Sequence, residues 1–274
     1  MKADAESHPD DHKMPLLDHL VELRNRMLYC VAGLIVVFIL TFLLIAQDIY
    51  NFLVDPLAQV MEERGSEQAA RMIFTNLTEV FFTNVKVAFF FAAFVCAPLI
   101  LTQIWGFVAP GLYKNERAAL RPFMMATPVL FLLGAALVYY LIMPLAWEFF
   151  LSFEQPASPD QLPIVLEPKV NEYLSLVMTL IFAFGLAFQL PVVMVLLAKV
   201  GIVSADGLAR SRRYAIVAVV VFAAVFTPPD PLSQLMLAVP VILLYEASIW
   251  MARAFEKKRA KAQAEAEAEA DDED

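Results

Sequence analysis

Charge is scarce in this chain. Acidic and basic residues make up 18% of its 274 residues, while 60% are hydrophobic, and a soluble globular domain carries roughly 25% charge. That shortage excludes an ordinary soluble domain and points to a protein of the membrane. Cysteine is nearly absent as well. Cys30 and Cys96 both sit in apolar runs, and with none in the polar segments no disulfide framework is supported. The three histidines, His8, His12 and His19, are all N-terminal, and two isolated histidines in a polar tail, His8 and His12, do not make a metal site. There is no glycine-rich phosphate loop and no Gly-x-Ser-x-Gly elbow. No aspartate pair falls within the apolar runs, which argues against an intramembrane aspartyl protease. An enzyme is not expected, nor a metal, a cofactor or a nucleic-acid partner. No cleavable signal peptide is expected either, because no small-residue cleavage site follows the first apolar run. The formal charge of −9 misleads: seven acids crowd the last ten residues, and without them the chain is at −2.

What the chain does contain is apolar runs. A helix needs about 20 apolar residues to cross a bilayer core about 30 Å thick. Six candidates lie at about 27–46, 80–105, 123–143, 173–198, 214–227 and 233–250. The fold expected is therefore an all-α integral membrane protein with six transmembrane helices. Spans 5 and 6 are short. Span 5 rises only about 21 Å, and span 6 is interrupted by Pro240 and Glu246. Bilayer thinning or partner subunits relieve such mismatch. Residues 1–13 read as a disordered N-terminus, 14–251 as the membrane domain and 252–274 as a charged, disordered tail.

Orientation follows from Lys and Arg in the loops. The two termini and the loops at 106–122 and 199–213 hold sixteen. Loops 47–79, 144–172 and 228–232 hold three, Arg64, Arg71 and Lys169, and Lys86 lies inside span 2. Both termini are thus expected in the cytoplasm. The outer loops should form a short helix near Leu53–Arg64 and an irregular, proline-rich cap over 144–172.

Met14–Arg26 reads as an amphipathic helix. Leu16, Leu17, Leu20, Leu23 and Met27 form one stripe, and His19, Glu22 and Arg26 another. It is expected to lie at the interface before span 1, with Glu22 either a helical partner of Arg26 or a ligand. The connector Gln103–Arg121 joins spans 2 and 3. Pro110-Gly111 marks a turn, and Asn115 can cap a helix that starts at Glu116. A carboxylate on a shaped connector at a membrane surface suits a cationic peptide.

Polar groups inside spans invite a functional reading. Gln189, near Gly185 and Pro191 in span 4, needs a partner, either as an interhelical bond or as a contact. Lys86 can snorkel or pair with Glu79. Glu246 can reach water. Asp230, in Thr227-Pro228-Pro229-Asp230-Pro231, is placed to cap span 6, with Gln234 nearby. An alternative function for these groups is a proton-coupled solute transporter built on Lys86, Glu79, Gln189 and Glu246. That fold would want an inverted repeat, which the sequence does not show. A scaffold that only holds partners is a third reading.

Four motifs together resemble the TatC family, the core subunit of the twin-arginine protein translocase. They are His-Leu-Val-Glu-Leu-Arg-Asn-Arg at 19–26, Phe-Val-Ala-Pro-Gly-Leu-Tyr-Lys-Asn-Glu-Arg at 107–117, Phe-Gly-Leu-Ala-Phe-Gln-Leu-Pro at 184–191 and Thr-Pro-Pro-Asp-Pro at 227–231. The resemblance covers about 14–251. It implies a non-enzymatic subunit of the bacterial inner membrane that exports folded precursors on the proton-motive force. The matching acids for the twin-arginine signal peptide are Glu22 and Glu116, since a guanidinium fork suits a carboxylate. Arg24, Trp105, Phe107, Pro110, Leu112, Tyr113 and Arg117 would shape that site. Implied partners are TatA- and TatB-like single-span subunits, further copies of the chain, and the lipid bilayer. Ala224, Thr227 and Gln234 are the candidate contacts to single-span partners. Many relatives carry Glu where this chain has Gln189. Glutamine cannot titrate, which leaves that position a hydrogen-bonding role toward a partner's span.

Overall fold

The computed structural model describes residues 16–63, 71–108, 114–155, 162–199 and 201–272; side chains at 16–19, 105, 108, 114–124, 262–263 and 266–272 lie outside that description. Among the described residues every regular element is helical. The only strand-like pairings are isolated bridges, Ile73 with Lys169 and Gln155 with Ile164. Five helical segments are long and apolar enough to cross a membrane: Leu20–Leu44, Glu79–Ile104, Met125–Leu151, Val170–Lys199 and Pro231–Lys261. The remaining expected crossing is a helix of only 15 residues, Arg212–Phe226.

The first helix, α1 (Leu16–Leu44), corrects one expectation. The amphipathic segment does not lie apart from span 1 but continues into it without a break. No proline falls anywhere between Leu16 and Leu44, so nothing removes a donor from the ladder. After α2 (Ala46–Glu63), α3 (Glu79–Val108) runs back along α1. Phe38 meets Phe89, and Phe42 meets Phe81, at ring separations of 6.2 and 6.4 Å. Away from this seam α1 faces outward, and only 6% of its spanning segment is buried.

The middle of the molecule is packed far more closely. Helix α4 (Lys114–Leu137) passes through a π segment (Val138–Ile142) into α5 (Met143–Leu151). The wide register comes just before Pro144, which cannot donate to the carbonyl four residues back. Span 4, expected as one helix, is two: α6 (Val170–Ala187) and α7 (Leu190–Lys199). Pro191 supplies no N–H to the Ala187 carbonyl. The chain tightens there, Gln189 N–H donating to the Leu186 carbonyl at 2.9 Å. Of this spanning segment 67% is buried. Phe131, Phe184, Leu174, Val177 and Leu237 are fully enclosed. Two glycines set the α4–α6 distance. A Cβ on Gly134 would stand 2.6 Å from the Phe184 carbonyl oxygen, and one on Gly185 2.6 Å from the Phe131 ring. Small residues that let helix backbones approach are the usual device in a membrane, where apolar lipid gives no hydrophobic push.

Chain direction defines two ends. Where α2 and α5 meet, two tyrosine hydroxyls reach backbone carbonyls of α2. Pro56 lies inside α2 and cannot donate to the Phe52 carbonyl. The Tyr139 hydroxyl donates there instead at 2.8 Å, and the Tyr173 hydroxyl donates to the Leu53 carbonyl at 3.0 Å. The Phe52 and Tyr139 rings stack with centroids 4.3 Å apart. Ile73 exchanges backbone bonds with the start of α6, donating to Pro168 and accepting from Val170. The Glu79 carboxylate accepts from the backbone of Thr75, Asn76 and Asn171. The Arg71–Glu167 ion pair adds to this cap. The proline-rich segment is thus an ordered cap where described, and the helix expected near Leu53–Arg64 starts earlier, at Ala46.

At the opposite end lie the start of α1, the end of α3 and the start of α4. Helix α7 also stops here, in a glycine cap. Gly201 has φ 80°, its N–H bonds the Ala198 carbonyl, and the Ile202 N–H bonds Leu197. Short α8 (Ala205–Arg210) follows, capped by the Ser204 hydroxyl on the Gly207 N–H at 3.0 Å. Then come α9 (Arg212–Phe226) and α10 (Pro231–Asp272). The tail expected to be disordered is helical to Asp272, because its Ala-Glu-Lys composition is strongly helix-forming and no proline or glycine interrupts it.

Candidate functional site

Arg26 is the centre of the most polar cleft at the α1–α3 end. Its Nε and Nη2 donate to one oxygen of Glu22 at 3.0 and 2.6 Å, one helical turn back on α1. Its Nη1 crosses to α3 and donates to Gln103 Oε1 at 2.7 Å. Gly106, one turn further along α3, leaves room for the guanidinium: a Cβ there would stand 2.6 Å from Arg26 Nη1. Val21, Glu22, Asn25, Arg26, Tyr29 and Gln103 line a cleft of about 560 Å³, within the ordinary size of ligand sites. Glu22 and Arg26 keep side-chain exposures of 27% and 28%, so water and a guest both reach them.

The sequence-predicted residues divide around this cleft. Glu22 lies in it. Glu116 begins α4 as its third residue, so its backbone stands at the same end of the molecule as the cleft; its side chain, like those of Arg117 and Trp105, lies outside the description. Pro110, Leu112 and Tyr113 lie outside the described residues altogether. Phe107 ends α3, half-buried. Arg24 is exposed, and its guanidinium donates to Asn25, which lines the cleft. Gln103 and Gly106 were not singled out from the sequence. The available signal was a polar side chain closing an apolar run with a glycine three residues on, the i, i+3 spacing that puts both on one helix face.

The intramembrane candidates are mostly committed within the chain. Gln189, 6% exposed, donates through Nε2 to the Thr127 carbonyl on α4 at 3.0 Å. Its Oε1 is buried without a partner among the described residues. This is the interhelical bond that the sequence allowed beside a contact with a partner's span. Thr227 is buried too, with its hydroxyl on the Ala223 carbonyl at 2.9 Å. Asp230 caps α10, accepting from Ser233 N–H at 2.7 Å. Gln234 joins α10 to α9 by donating to the Val220 carbonyl at 3.2 Å. Ala224 alone of this group is exposed.

The four residues of the transporter reading do not converge. Glu246 receives Arg212 in a two-pronged bridge, Nε to Oε1 at 2.6 Å and Nη2 to Oε2 at 2.9 Å. Lys86 donates to Asn171 Oδ1 at 2.7 Å rather than to Glu79. Glu79 and Lys86 share a cleft of about 330 Å³ at the cap end, which neither Gln189 nor Glu246 lines.

Comparison with known proteins meets this geometry. The family model described as TatC, the Sec-independent protein translocase protein, matches residues 18–240. A Sec-independent protein translocase protein TatC from Magnetococcus marinus is 47% identical over 251 residues, covering 92% of this chain and 88% of that one. The Escherichia coli K12 protein of the same name is 37% identical over 244 residues, 89% and 90% of the two chains. A crystal structure of the twin-arginine translocase receptor TatC superposes with a TM-score of 0.72 at 32% identity, covering 85% of this chain and 99% of that one. The matched residues hold the cleft of α1 and α3, the connector and the α6–α7 break alike, and the chain belongs to the TatC family of Sec-independent protein translocase proteins.

Proposed function

We propose that this subunit is the signal-peptide receptor and core of a twin-arginine translocase, gripping two consecutive arginines between Glu22 and Glu116. The observation that carries this is the cleft itself. Glu22 and Gln103 already accept from a guanidinium there, so acceptors are spaced for that group. Glu116 opens the helix that follows the short connector from α3, at the same end. A charge-assisted fork to carboxylate is about twice as strong as a neutral hydrogen bond. Two such anchors on separate elements suit two arginines in sequence.

The biased distribution of Lys and Arg supports six spans in a bacterial inner membrane, with both termini and this cleft cytoplasmic. Helix α9, too short to cross an unperturbed bilayer at 15 residues, is the sixth crossing in this reading. Local thinning there favours single-span TatA- and TatB-like subunits, with Ala224 on the open face, and further copies of the chain complete the assembly. Folded precursors would then be exported on the proton-motive force, with no chemistry performed by this subunit.

Photocrosslinking tests the site. A twin-arginine precursor should crosslink to the wild-type protein and lose that crosslink in Glu116→Ala and in Glu22→Ala, at unchanged abundance of the membrane protein. Undiminished crosslinking in both would overturn the assignment.

A further inference from the structure

We infer that Arg26 is a built-in stand-in for a guest arginine, occupying the guanidinium seat until a signal peptide displaces it. This rests on the reading of the cleft as a twin-arginine receptor and names the residue that sets its binding threshold.

Three features separate Arg26 from an ordinary helical salt bridge. An i, i+4 Glu–Arg pair needs only its own helix, yet Arg26 also reaches across to Gln103 on α3 at 2.7 Å. The guanidinium also rests directly on the bare backbone of Gly106, where a Cβ would stand 2.6 Å from Nη1. The pair is also partly open, at 28% and 27% exposure, in a cleft large enough for an extended peptide side chain. A seat with a carboxylate on one wall, an amide oxygen on another and a bare backbone beneath is complementary to a planar fork.

Competition follows. A guest must break the bonds of Arg26 before it gains those of Glu22 and Gln103. An incoming arginine offers the same fork and recovers both contacts. A lysine is a point charge with no planar fork and recovers less. Arg26 therefore raises the threshold by the same amount for every guest, and only arginine, which recovers both contacts, offsets it in full. It acts through Glu22 and Gln103 and is a positioning residue of the site.

The test is direct binding of two labelled peptides, one twin-arginine and one twin-lysine, to the purified full-length protein in detergent. Arg26→Gln should bind the twin-arginine peptide about three- to tenfold more tightly than wild type. The twin-lysine peptide should tighten by the same factor, so that the ratio of the two affinities is kept. Arg26→Lys, which keeps the charge and the helix but not the fork, should fall between the two. A merely structural arginine would leave both affinities unchanged or lower them. Equal or weaker twin-arginine binding in Arg26→Gln, alongside normal binding by wild type, overturns the stand-in alone. Failure of both wild type and Arg26→Gln to bind overturns the receptor reading and the stand-in with it.

Discussion

The two ends of the molecule are built in opposite ways. At the cap end, segments distant in sequence are tied by hydrogen bonds: Tyr139 to Phe52, Tyr173 to Leu53, Ile73 to Pro168 and Val170, Glu79 to Asn171. At the cleft end, α1 rests on α3 along one face, and among the described residues its charged link to α3 is the Arg26–Gln103 bond. The burial of the spans follows the same division, 6% for that of α1 against 67% for that of α6 and α7. A helix bound along one seam can shift at small cost, whereas a buried, cross-tied one cannot, since cores repack between discrete arrangements rather than deform smoothly. The difference places the adaptable surface where a peptide would be read and the fixed one where α2, α5 and α6 must hold their spacing.

Truncation gives the widest separation between the two regions. Leu174→Ala, at a fully buried site on α6, should cost about 2–5 kcal/mol and lower the Tm in detergent. Leu40→Ala, on the exposed face of α1, should stay within about 0.5 kcal/mol. Comparable losses at both positions would erase the contrast.

Glycine substitutions should even differ in sign. Gly134→Ala drives a methyl group to 2.6 Å from a backbone oxygen, which cannot swing aside, and should destabilise by about 1–3 kcal/mol. Gly33→Ala on α1 meets nothing within 4 Å and should be neutral or stabilise by up to about 1 kcal/mol, since glycine is the weaker helix former. A smaller effect is expected at the cap. Tyr173→Phe removes the bond that ties α6 to the Leu53 carbonyl and should cost about 0.5–1.5 kcal/mol, seen as earlier proteolysis of α2 than in wild type.

Much of this architecture was legible because apolar runs of membrane length leave few alternatives. The runs marked α1, α3, α4 with α5, α6 with α7, and α10 as the spanning segments, and Asp230 was readable as a cap from Pro231 and the apolar run behind it. What the sequence concealed depended on partners far away in the chain. Gln189 was an unpaired polar group in a span until the α6–α7 break turned it toward the Thr127 carbonyl. Lys86 had Glu79 as its nearest anion along the helix, but Asn171, 85 residues away, lies closer in space. Glu22 and Arg26 were readable as a pair from their spacing, whereas Gln103 and Gly106 became part of the cleft only once α3 was laid against α1. The acidic tail had the composition of a disordered segment and, equally, of a solvated helix. Charge content alone does not separate the two, and its alanine-rich repeats decided for helix.

The most direct test of the central claim is the affinity of the purified protein for a twin-arginine peptide, measured for wild type, Glu22→Gln and Glu116→Gln. The account predicts clear binding by wild type, preference over the twin-lysine peptide, and at least tenfold weaker binding in each variant, a loss of about 1.4 kcal/mol or more per carboxylate. Equal affinity across the three proteins, or no preference for arginine over lysine, would contradict it.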